Sequence, residues 1–335
     1  MRRNTLRKIS FLLAAVPFLA GAIAVPAYAG PAPSGPGPAW ATLAPVPSVG
    51  SGVEGMSVAS VGNNIIAALG FDPGTGDTDT TRIYDIASDT WSLGATAPGI
   101  SSEGAGTAHG GLFYTVGGRV GGAARADIWS YSPASDTWNA ALTPMPTARA
   151  GLAIAVVGDS IYAIGGRTGV GGPCTGSPLD AVERYDIASD TWTPVTPLLA
   201  PRSDLAAAAV GGKIYVFGGC DAAGNFLADV DVYDPVTDTW STAPADMPTA
   251  RAGMYAVETK GGTVYVIGGW DGVGTGLSTN EAYKVSQDEW TAGLLPMPTP
   301  RAETGAVGHG GRIYIVGGAQ PGFGASVDAN EVFKP

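Results

Sequence analysis

Four arginines at equivalent places in a repeat are the side chains in this sequence best suited to bind a charged ligand. They are Arg149, Arg202, Arg251 and Arg301, in the segments TARAG, APRSD, TARAG and TPRAE. A guanidinium can hold a carboxylate through two parallel N–H bonds, so a ring of them, with Arg119 and Arg167, would form an anion-binding mouth. The same arginines also fit an architectural role, in which each pairs with an acid or a carbonyl group.

Few other groups are placed to do chemistry. The two histidines, His109 and His309, lie in the turn sequences AHGG and GHGG, two repeats apart. They indicate neither a metal cluster nor a Ser-His-Asp triad, and we predict no metal and no cofactor. The stretch FDPGTGDTDTT at 71–81 carries carboxylates that suit calcium, but it lacks the order and final glutamate of an EF-hand. A solvated loop also explains that stretch.

An eight-residue phrase marks the elements that would position these residues. YDIASDTW stands at 84–91 and 185–192, and variants follow at 131–138, 233–240 and 283–290. A period of 47 to 54 residues between the tryptophans is typical of stacked units that cannot bury an apolar face alone. Each unit predicts four short strands, here named a to d, with Tyr ending strand c and Trp in strand d.

Double glycines follow strand b in each unit. They are Gly117-Gly118, Gly165-Gly166, Gly218-Gly219, Gly268-Gly269 and Gly317-Gly318, with Leu69-Gly70 in the first unit. Together with the Tyr and Trp spacing, this pattern resembles the kelch repeat. The resemblance implies an all-β fold, a six-bladed β-propeller of four-stranded blades, over residues 40–335 around a central channel.

The sixth unit predicts how the propeller closes. It runs through strand c and then stops at Pro335, without its Trp strand. The segment WATLAPVP from Trp40 is similar to WNAALTPMP from Trp138 and WTAGLLPMP from Trp290. We therefore expect Trp40 to Leu43 to pair beside Asn330 to Phe333, which would complete the last blade and remove an exposed edge.

One face of such a propeller should carry its contacts. The b–c and d–a connections emerge together, and the b–c loops differ from unit to unit while the other turns are short and uniform. The residues that follow the double glycines are correspondingly diverse: Phe71, Arg119, Arg167, Cys220, Trp270 and Ala319. We place ligand or partner contact on this rim, with Phe71 and Trp270 beside the arginines.

The N-terminus indicates export. Residues 1–29 combine a basic start, an apolar run and the small-x-small sequence Ala27-Tyr28-Ala29, which is typical of a cleaved secretory signal; an uncleaved anchor is the alternative. Residues 30–39 are rich in Pro and Gly and predict a linker. Because an exported chain meets oxidising conditions, we predict a Cys174–Cys220 disulfide that pins the third b–c loop over its neighbour.

Charge restricts the partners. The signal holds four of the 18 basic residues, so the mature chain has 14 basic and 29 acidic groups, a net charge of −15. Nucleic acid and anionic membrane surfaces are therefore excluded as partners.

Three functions remain open on the sequence. The first is a secreted, monomeric binding module that presents its b–c and d–a loops to a protein or glycan. The second follows from the likeness to exported six-bladed kelch enzymes of acidic sugars, and implies a mutarotase or epimerase with Arg202 or Arg301 on the carboxylate. Its proton-exchanging candidates are Glu54, Glu103, Asp204 and Glu303. The third is a structural component of an extracellular wall or matrix.

Overall fold

The computed structural model describes residues 37–169, 174–242, 244–273, 276–320 and 325–335. These residues form six four-stranded antiparallel sheets arranged as the blades of a propeller, which confirms the predicted fold class. The predicted signal at 1–29 and most of the predicted linker lie outside the described residues. No helix in the described part of the chain is long and apolar enough to cross a lipid bilayer.

The two inner strands of each blade form the channel wall and the layer behind it. Strands a of blades 1 to 6 are Ser57–Val61, Ala105–His109, Ala153–Val157, Ala206–Val210, Tyr255–Thr259 and Gly305–His309. Strands b are Asn64–Ala68, Leu112–Val116, Ser160–Ile164, Lys213–Phe217, Thr263–Ile267 and Arg312–Val316. Neighbouring strands a contact one another around the channel.

The two outer strands complete each blade. Strands c are Thr81–Asp85, Ile128–Ser132, Val182–Asp186, Val230–Asp234, Asn280–Lys284 and Asn330–Lys334. Strands d are Thr90–Leu93, Thr137–Asn139, Thr191–Pro194, Thr239–Ser241, Glu289–Thr291 and Ala39–Thr42. Short hairpins in three b–c loops pair Phe71–Asp72 with Gly76–Asp77, Arg119–Val120 with Ala123–Ala124, and Arg167–Thr168 with Ser177–Pro178.

Burial follows from the position of each strand in a blade. Strand b packs between two neighbouring blades, so its last residues are apolar and buried on both faces, as in Ile313–Val316 of blade 6. Strand d lies at the outer edge, and in Thr191–Pro194 only the tryptophan is partly covered. Strand b is therefore apolar because it lies near the channel between two blades, and strand d is polar because it lies at the outer edge of the propeller.

The ring closes as the sequence predicts. Ala39–Thr42 pairs antiparallel with Asn330–Lys334, with Trp40 opposite Phe333 and their ring centroids 4.9 Å apart. The strand begins at Ala39, the last residue assigned to the linker from sequence. Because the N-terminal segment supplies strand d of blade 6, both ends of the propeller domain are held in one sheet, and strand c of that blade is covered as in the other five.

The recurrent Tyr, Asp and Trp connect successive blades. Each Tyr hydroxyl donates to the Asp five residues later at 2.6 Å, in the pairs Tyr84–Asp89, Tyr131–Asp136, Tyr185–Asp190, Tyr233–Asp238 and Tyr283–Asp288. The same Asp oxygen accepts a backbone N–H from the preceding blade, as Thr143 donates to Asp190 at 2.8 Å. The tryptophan donates back to that blade, from Trp192 Nε1 to the Thr143 carbonyl at 2.8 Å.

These aspartates do more than cap turns, the role that their spacing suggests. The Tyr185 hydroxyl and the backbone N–H of Thr143 lower the pKa of Asp190 below its usual range, because both hydrogen bonds favour the ionised carboxylate. Blade 6 has Phe333 in the Tyr position and no Asp, so among the described residues its junction with blade 5 has the bond from Trp40 Nε1 to the Leu295 carbonyl at 3.0 Å but no Tyr–Asp pair. The closing junction therefore has fewer hydrogen bonds of this kind than the other five.

The double glycines allow neighbouring blades to approach. Gly117 has a φ of 65°, and a Cβ there would lie 2.6 Å from the Arg149 carbonyl oxygen. The next residue, Gly118, donates its N–H to that same carbonyl at 2.9 Å. The glycine pair thus has a structural role, because it permits a backbone contact between blades that a side chain would block.

Deleting residues 30–46 should lower the melting temperature by about 10 °C or more, because the deletion removes strand d of blade 6 and exposes Phe333. Differential scanning calorimetry on the otherwise mature chain measures this. The matched control deletes only residues 30–38 and should melt like the parent. Equal melting curves for both deletions would contradict closure by this strand.

Candidate functional site

A closed circle of backbone hydrogen bonds surrounds one end of the channel. In each blade one residue at the start of strand a donates its N–H to the carbonyl of its counterpart in the preceding blade, over 2.8 to 3.1 Å. We call these six residues the mouth ring: Gly55, Glu103, Gly151, Asp204, Gly253 and Glu303. Every donor in the circle has an acceptor, so the ring fixes the spacing of the six blades at this end.

The mouth ring alternates glycine with an acid. All six residues have a left-handed backbone, with φ between 50° and 62°. Glycine adopts this conformation without strain, whereas Glu103, Asp204 and Glu303 adopt it at a cost. The alternation therefore places three carboxyl groups around the channel, separated by positions that carry no side chain.

A cavity of about 140 Å³ opens inside the mouth ring. Its wall is formed by all six ring residues and by residues at or just before the start of strands a, including Leu152, Met254 and Tyr255. One water needs roughly 15 Å³ on this measure, so the cavity has room for a small group carried by a ligand. It combines an apolar wall with convergent carboxylates, the usual composition of a binding pocket.

Arg167 joins two of the three ring acids. Its guanidinium contacts Glu103 through Nη2 and Asp204 through Nη1, and Arg119 Nη2 approaches the other Glu103 oxygen at 2.6 Å. Burial raises the pKa of Glu103, and the charges of Arg167 and Arg119 act in the opposite direction. The ionised form of Glu103 thus has two direct counterions, and Arg119 and Arg167, which the sequence suggested as binding groups for an anionic ligand, contact ring acids instead.

The predicted disulfide lies beside Asp204. Cys174 and Cys220 are bonded, which confirms the prediction. The bond holds the Cys174 backbone N–H on Asp204 Oδ2 at 2.8 Å, and Ser203 Oγ donates to the same oxygen at 2.8 Å. Both sulfur atoms lie near the Asp204 carboxylate, but a disulfide offers no thiolate to a metal.

Within the described part of the chain, Glu303 is the ring acid whose carboxyl group has the fewest hydrogen-bonding and ion-pair partners. Its Oε1 atom is buried and has no hydrogen-bond partner among the described residues. Burial raises the pKa of Glu303 well above its ordinary value, and the negative charges of Glu103, Glu54 and Asp204 raise it further. The adjacent Tyr255 has its pKa raised to about 12 by burial and by the charge of Glu303.

The four recurrent arginines do not line the channel mouth. Arg149, Arg251 and Arg301 have no exposed surface, and Arg202 retains 3%. Their guanidiniums lie inside the blades, on strand c acids, in the pairs Arg149–Glu183 at 2.8 Å, Arg202–Asp231 at 2.5 Å, Arg251–Glu281 at 2.5 Å and Arg301–Glu331 at 2.7 Å. These arginines therefore do not form the anion-binding mouth that they suggested from sequence. They have the alternative role, in which each pairs with an acid inside its blade.

Threonines complete three of these buried pairs. Thr299 Oγ1 donates to Glu331 Oε1 at 2.7 Å while Arg301 holds Oε2, and Thr147 and Thr249 do the same in their blades. The sequence carries a signal for these pairs that the Tyr and Trp spacing does not include. An acid stands two residues before the strand c aromatic in blades 3 to 6, where the arginine is present; blades 1 and 2 have Arg82 and Trp129 there.

The remaining predicted rim residues occupy the same face. In every blade, the residue after the double glycine bridges to the residue just before the mouth ring, as Phe71 does with Glu54 and Trp270 with Ala252. Trp270 is partly exposed and packs edge-on against Phe226 of the neighbouring blade, with ring centroids 5.1 Å apart. The b–c and d–a connections therefore share one face, here called the loop face.

Glu54 lies next to the mouth ring and not in it. It accepts a hydrogen bond from Ser326 Oγ at 3.0 Å, and burial raises its pKa. Glu54 thus contributes negative charge beside the cavity, while the three other predicted acids, Glu103, Asp204 and Glu303, line the cavity itself.

The carboxylates of the 71–81 loop are engaged by backbone groups. Asp72 is buried and accepts N–H bonds from Val49, Gly50 and Gly74 at 2.7 to 2.9 Å. Asp77 accepts from Ser102 Oγ at 2.7 Å and from Gly121 N–H at 2.9 Å. Among the described residues, the aspartates of this loop do not form a group of metal-ligand atoms.

The histidines lie at the opposite end of strands a. His109 Nε2 is 3.0 Å from Asp159, and His309 Nδ1 is 3.0 Å from Ser60 Oγ. Each contacts a neighbouring blade, and neither lines the cavity at the mouth ring.

Fold and site together define a six-bladed propeller with an acidic channel mouth. The family model described as the KLHDC2/KLHL20/DRC7 Kelch-repeats domain matches residues 106–318, more than half of the chain. The chain therefore belongs to the kelch-repeat family, as its repeats predict. Kelch propellers are typically protein-interaction modules.

Kelch-like proteins are among the relatives of this chain. Kelch-like protein 36 of Bos taurus is 32% identical over 215 residues, which cover 61% of this chain and 32% of that protein. Kelch-like protein 33 of Homo sapiens is 32% identical over 167 residues, which cover 47% of this chain and 29% of that protein. The match thus spans about a third of the length of these relatives.

Replacing Arg301 by Met should destabilise the protein by about 3–5 kcal/mol, because Glu331 is left buried without its counterion. Arg301→Met combined with Glu331→Leu should recover most of that loss. Urea unfolding at neutral pH measures both. Arg125→Met, which breaks an exposed pair with Asp127, is the control and should cost less than about 1 kcal/mol. A double mutant as unstable as the single one would contradict the assignment.

Proposed function

We propose that this protein is an exported binding module whose loop face engages a protein partner. The observation that carries the proposal is the composition of that face, which has exposed apolar side chains on its connections as well as the acidic cavity. Val49, Ile100, Leu199 and Val273 are all on d–a or b–c connections, and their exposed fractions are 78%, 44%, 58% and 81%. Exposed apolar groups around a polar centre favour a protein partner over a glycan.

A rigid support for this face also favours binding. Three b–c loops form hairpins, and the Cys174–Cys220 disulfide links the loops of blades 3 and 4 beside the channel. Backbone bridges tie each b–c loop to the adjacent d–a connection. Loops held in this way lose little conformational entropy when they bind a partner.

The geometry favours binding over catalysis on an acidic sugar. Such an enzyme would use Arg202 or Arg301 to hold the substrate carboxylate, and both guanidiniums are buried on Asp231 and Glu331. Arg167 is engaged by Glu103 and Asp204. An acidic substrate entering the cavity would meet carboxylates first.

Export is the second part of the proposal. It is supported by the signal-like sequence at 1–29 and by the disulfide, since such bonds persist in oxidising compartments. N-terminal sequencing of the protein from its producing cells should give Gly-Pro-Ala-Pro, starting at Gly30. An N-terminus at Met1 in a protein retained in the cytosol would contradict export.

Photo-cross-linking tests the binding surface. A benzoylphenylalanine placed at Val273 or Leu199 should give a protein adduct in the producing cells, because both side chains are exposed on the loop face. The same group at Val236, which is 92% exposed in a c–d turn, is the control and should give none. Equal adduct formation from Val236, or loop-face adducts that are digested by glycosidases and not by proteases, would contradict the proposal.

A further inference from the structure

We propose that the channel mouth is a socket for an arginine side chain of the partner protein, with the guanidinium held by the carboxylate of Glu303. This inference rests on the proposed function and specifies the chemistry that the partner must present. The proposed ligand group is a cation, whereas the recurrent arginines suggested an anionic ligand from the sequence.

Of the three acids in the mouth ring, Glu303 is the one without a direct ion pair in the described part of the chain, although the charge of the more distant Arg167 also acts on it. Glu103 and Asp204 share the guanidinium of Arg167, and Glu103 also contacts Arg119. Glu303, across the same cavity, is not in any ion pair among the described residues. A cation that enters the cavity would therefore find its strongest unmet attraction at Glu303.

The state of Glu303 itself points to a missing partner. Its Oε1 atom is shielded from solvent and accepts no hydrogen bond from the described residues, although the side chain lines the open cavity. A buried carboxyl oxygen without a donor is costly, and native proteins rarely keep one without a use. Burial and the neighbouring acids raise the pKa of Glu303, so a cationic donor in the cavity would stabilise its ionised carboxylate.

The backbone of Glu303 supports a role for its side chain. Glu303 has a φ of 50°, and the equivalent residues Gly55, Gly151 and Gly253 show that glycine meets the same backbone requirement. A glutamate at this position adds backbone strain and a buried carboxyl group to the ring, and neither is needed to close the circle of backbone bonds. At Glu103 and Asp204 the same backbone places a carboxylate on the guanidinium of Arg167, so the carboxyl group of Glu303 is suited to the same kind of partner.

The walls of the cavity favour arginine over other cations. Tyr255 lies beside Glu303, and Leu152 and Met254 add apolar surface. A guanidinium is planar and weakly hydrated, so it can stack on an aromatic ring while it donates two parallel N–H bonds to a carboxylate. The cavity volume of about 140 Å³ accommodates such a group on a partner's side chain.

Isothermal titration calorimetry with three peptides tests the socket on the mature chain. The probes are acetyl-Gly-Gly-Xaa-Gly-Gly-amide with arginine, its neutral isostere citrulline, or glutamate at Xaa. The arginine peptide should bind at least about tenfold more tightly than the citrulline peptide, because only arginine brings the charge. Equal binding of these two peptides, or tighter binding of the glutamate peptide, would overturn the proposal.

Substitutions of Glu303 test whether the arginine peptide binds at this residue. Glu303→Gln and Glu303→Gly should each weaken the arginine peptide by at least about tenfold and remove its advantage over citrulline. Both should melt at or above the parent temperature, because they remove an unpaired buried carboxyl and the glycine matches three of the ring positions. Glu289→Gln, at an exposed acid of strand d in blade 5, is the control and should bind like the parent.

The outcomes separate this inference from the proposed function. Retention of arginine binding in both folded Glu303 variants would overturn the socket. Cross-links from Val273 and Leu199 would then still support the loop face as the protein-binding surface. Arginine binding that depends on Glu303, without loop-face cross-links, would instead support the socket chemistry and contradict the wider surface.

Discussion

Six left-handed residues hold the channel mouth together through a closed circle of backbone hydrogen bonds. The circle requires each blade to present one N–H and one carbonyl group at the same height, which only a left-handed turn before strand a achieves. Glycine satisfies this requirement in three blades. In the other three the same backbone carries an acid, so a constraint of the fold places carboxylates in the channel.

Basic and acidic side chains near this ring lie in different places: the recurrent arginines lie inside the blades, and the ring acids line the channel. Two residues before each ring position, blades 3 to 6 carry an arginine long enough to reach into the blade, where strand c offers an acid and strand b offers carbonyls. In blades 4 and 6 the ring residue that follows this arginine is an acid, and its side chain lines the cavity. The arginines therefore stabilise the blades, whereas Asp204 and Glu303, together with Glu103 of blade 2, line the cavity.

Several parts of this arrangement could be predicted from sequence because each is local or strictly periodic. The Tyr-to-Trp spacing located five blades, and the likeness of the Trp40 segment to later strand d segments located the sixth. Residue pairing across the closure, from Trp40 to Phe333, then follows from strand order alone. The disulfide was predictable for a similar reason, since both cysteines occupy b–c loops of adjacent blades. Periodicity could not reveal the inter-blade role of Asp190, because the Thr143 N–H that it accepts comes from another repeat.

The sequence by itself determined the number of blades, the closing strand and the face on which the variable loops lie. All three follow from the spacing of residues along the chain, because one repeat builds one blade. Only the tertiary structure decided which charged groups face a ligand. Arg301 and Glu303 are two residues apart in sequence, yet one is buried on Glu331 and the other lines the cavity. The orientations of these two side chains are set by a left-handed turn and by an acid on a distant strand. Neither feature can be recognised from the type of a single residue.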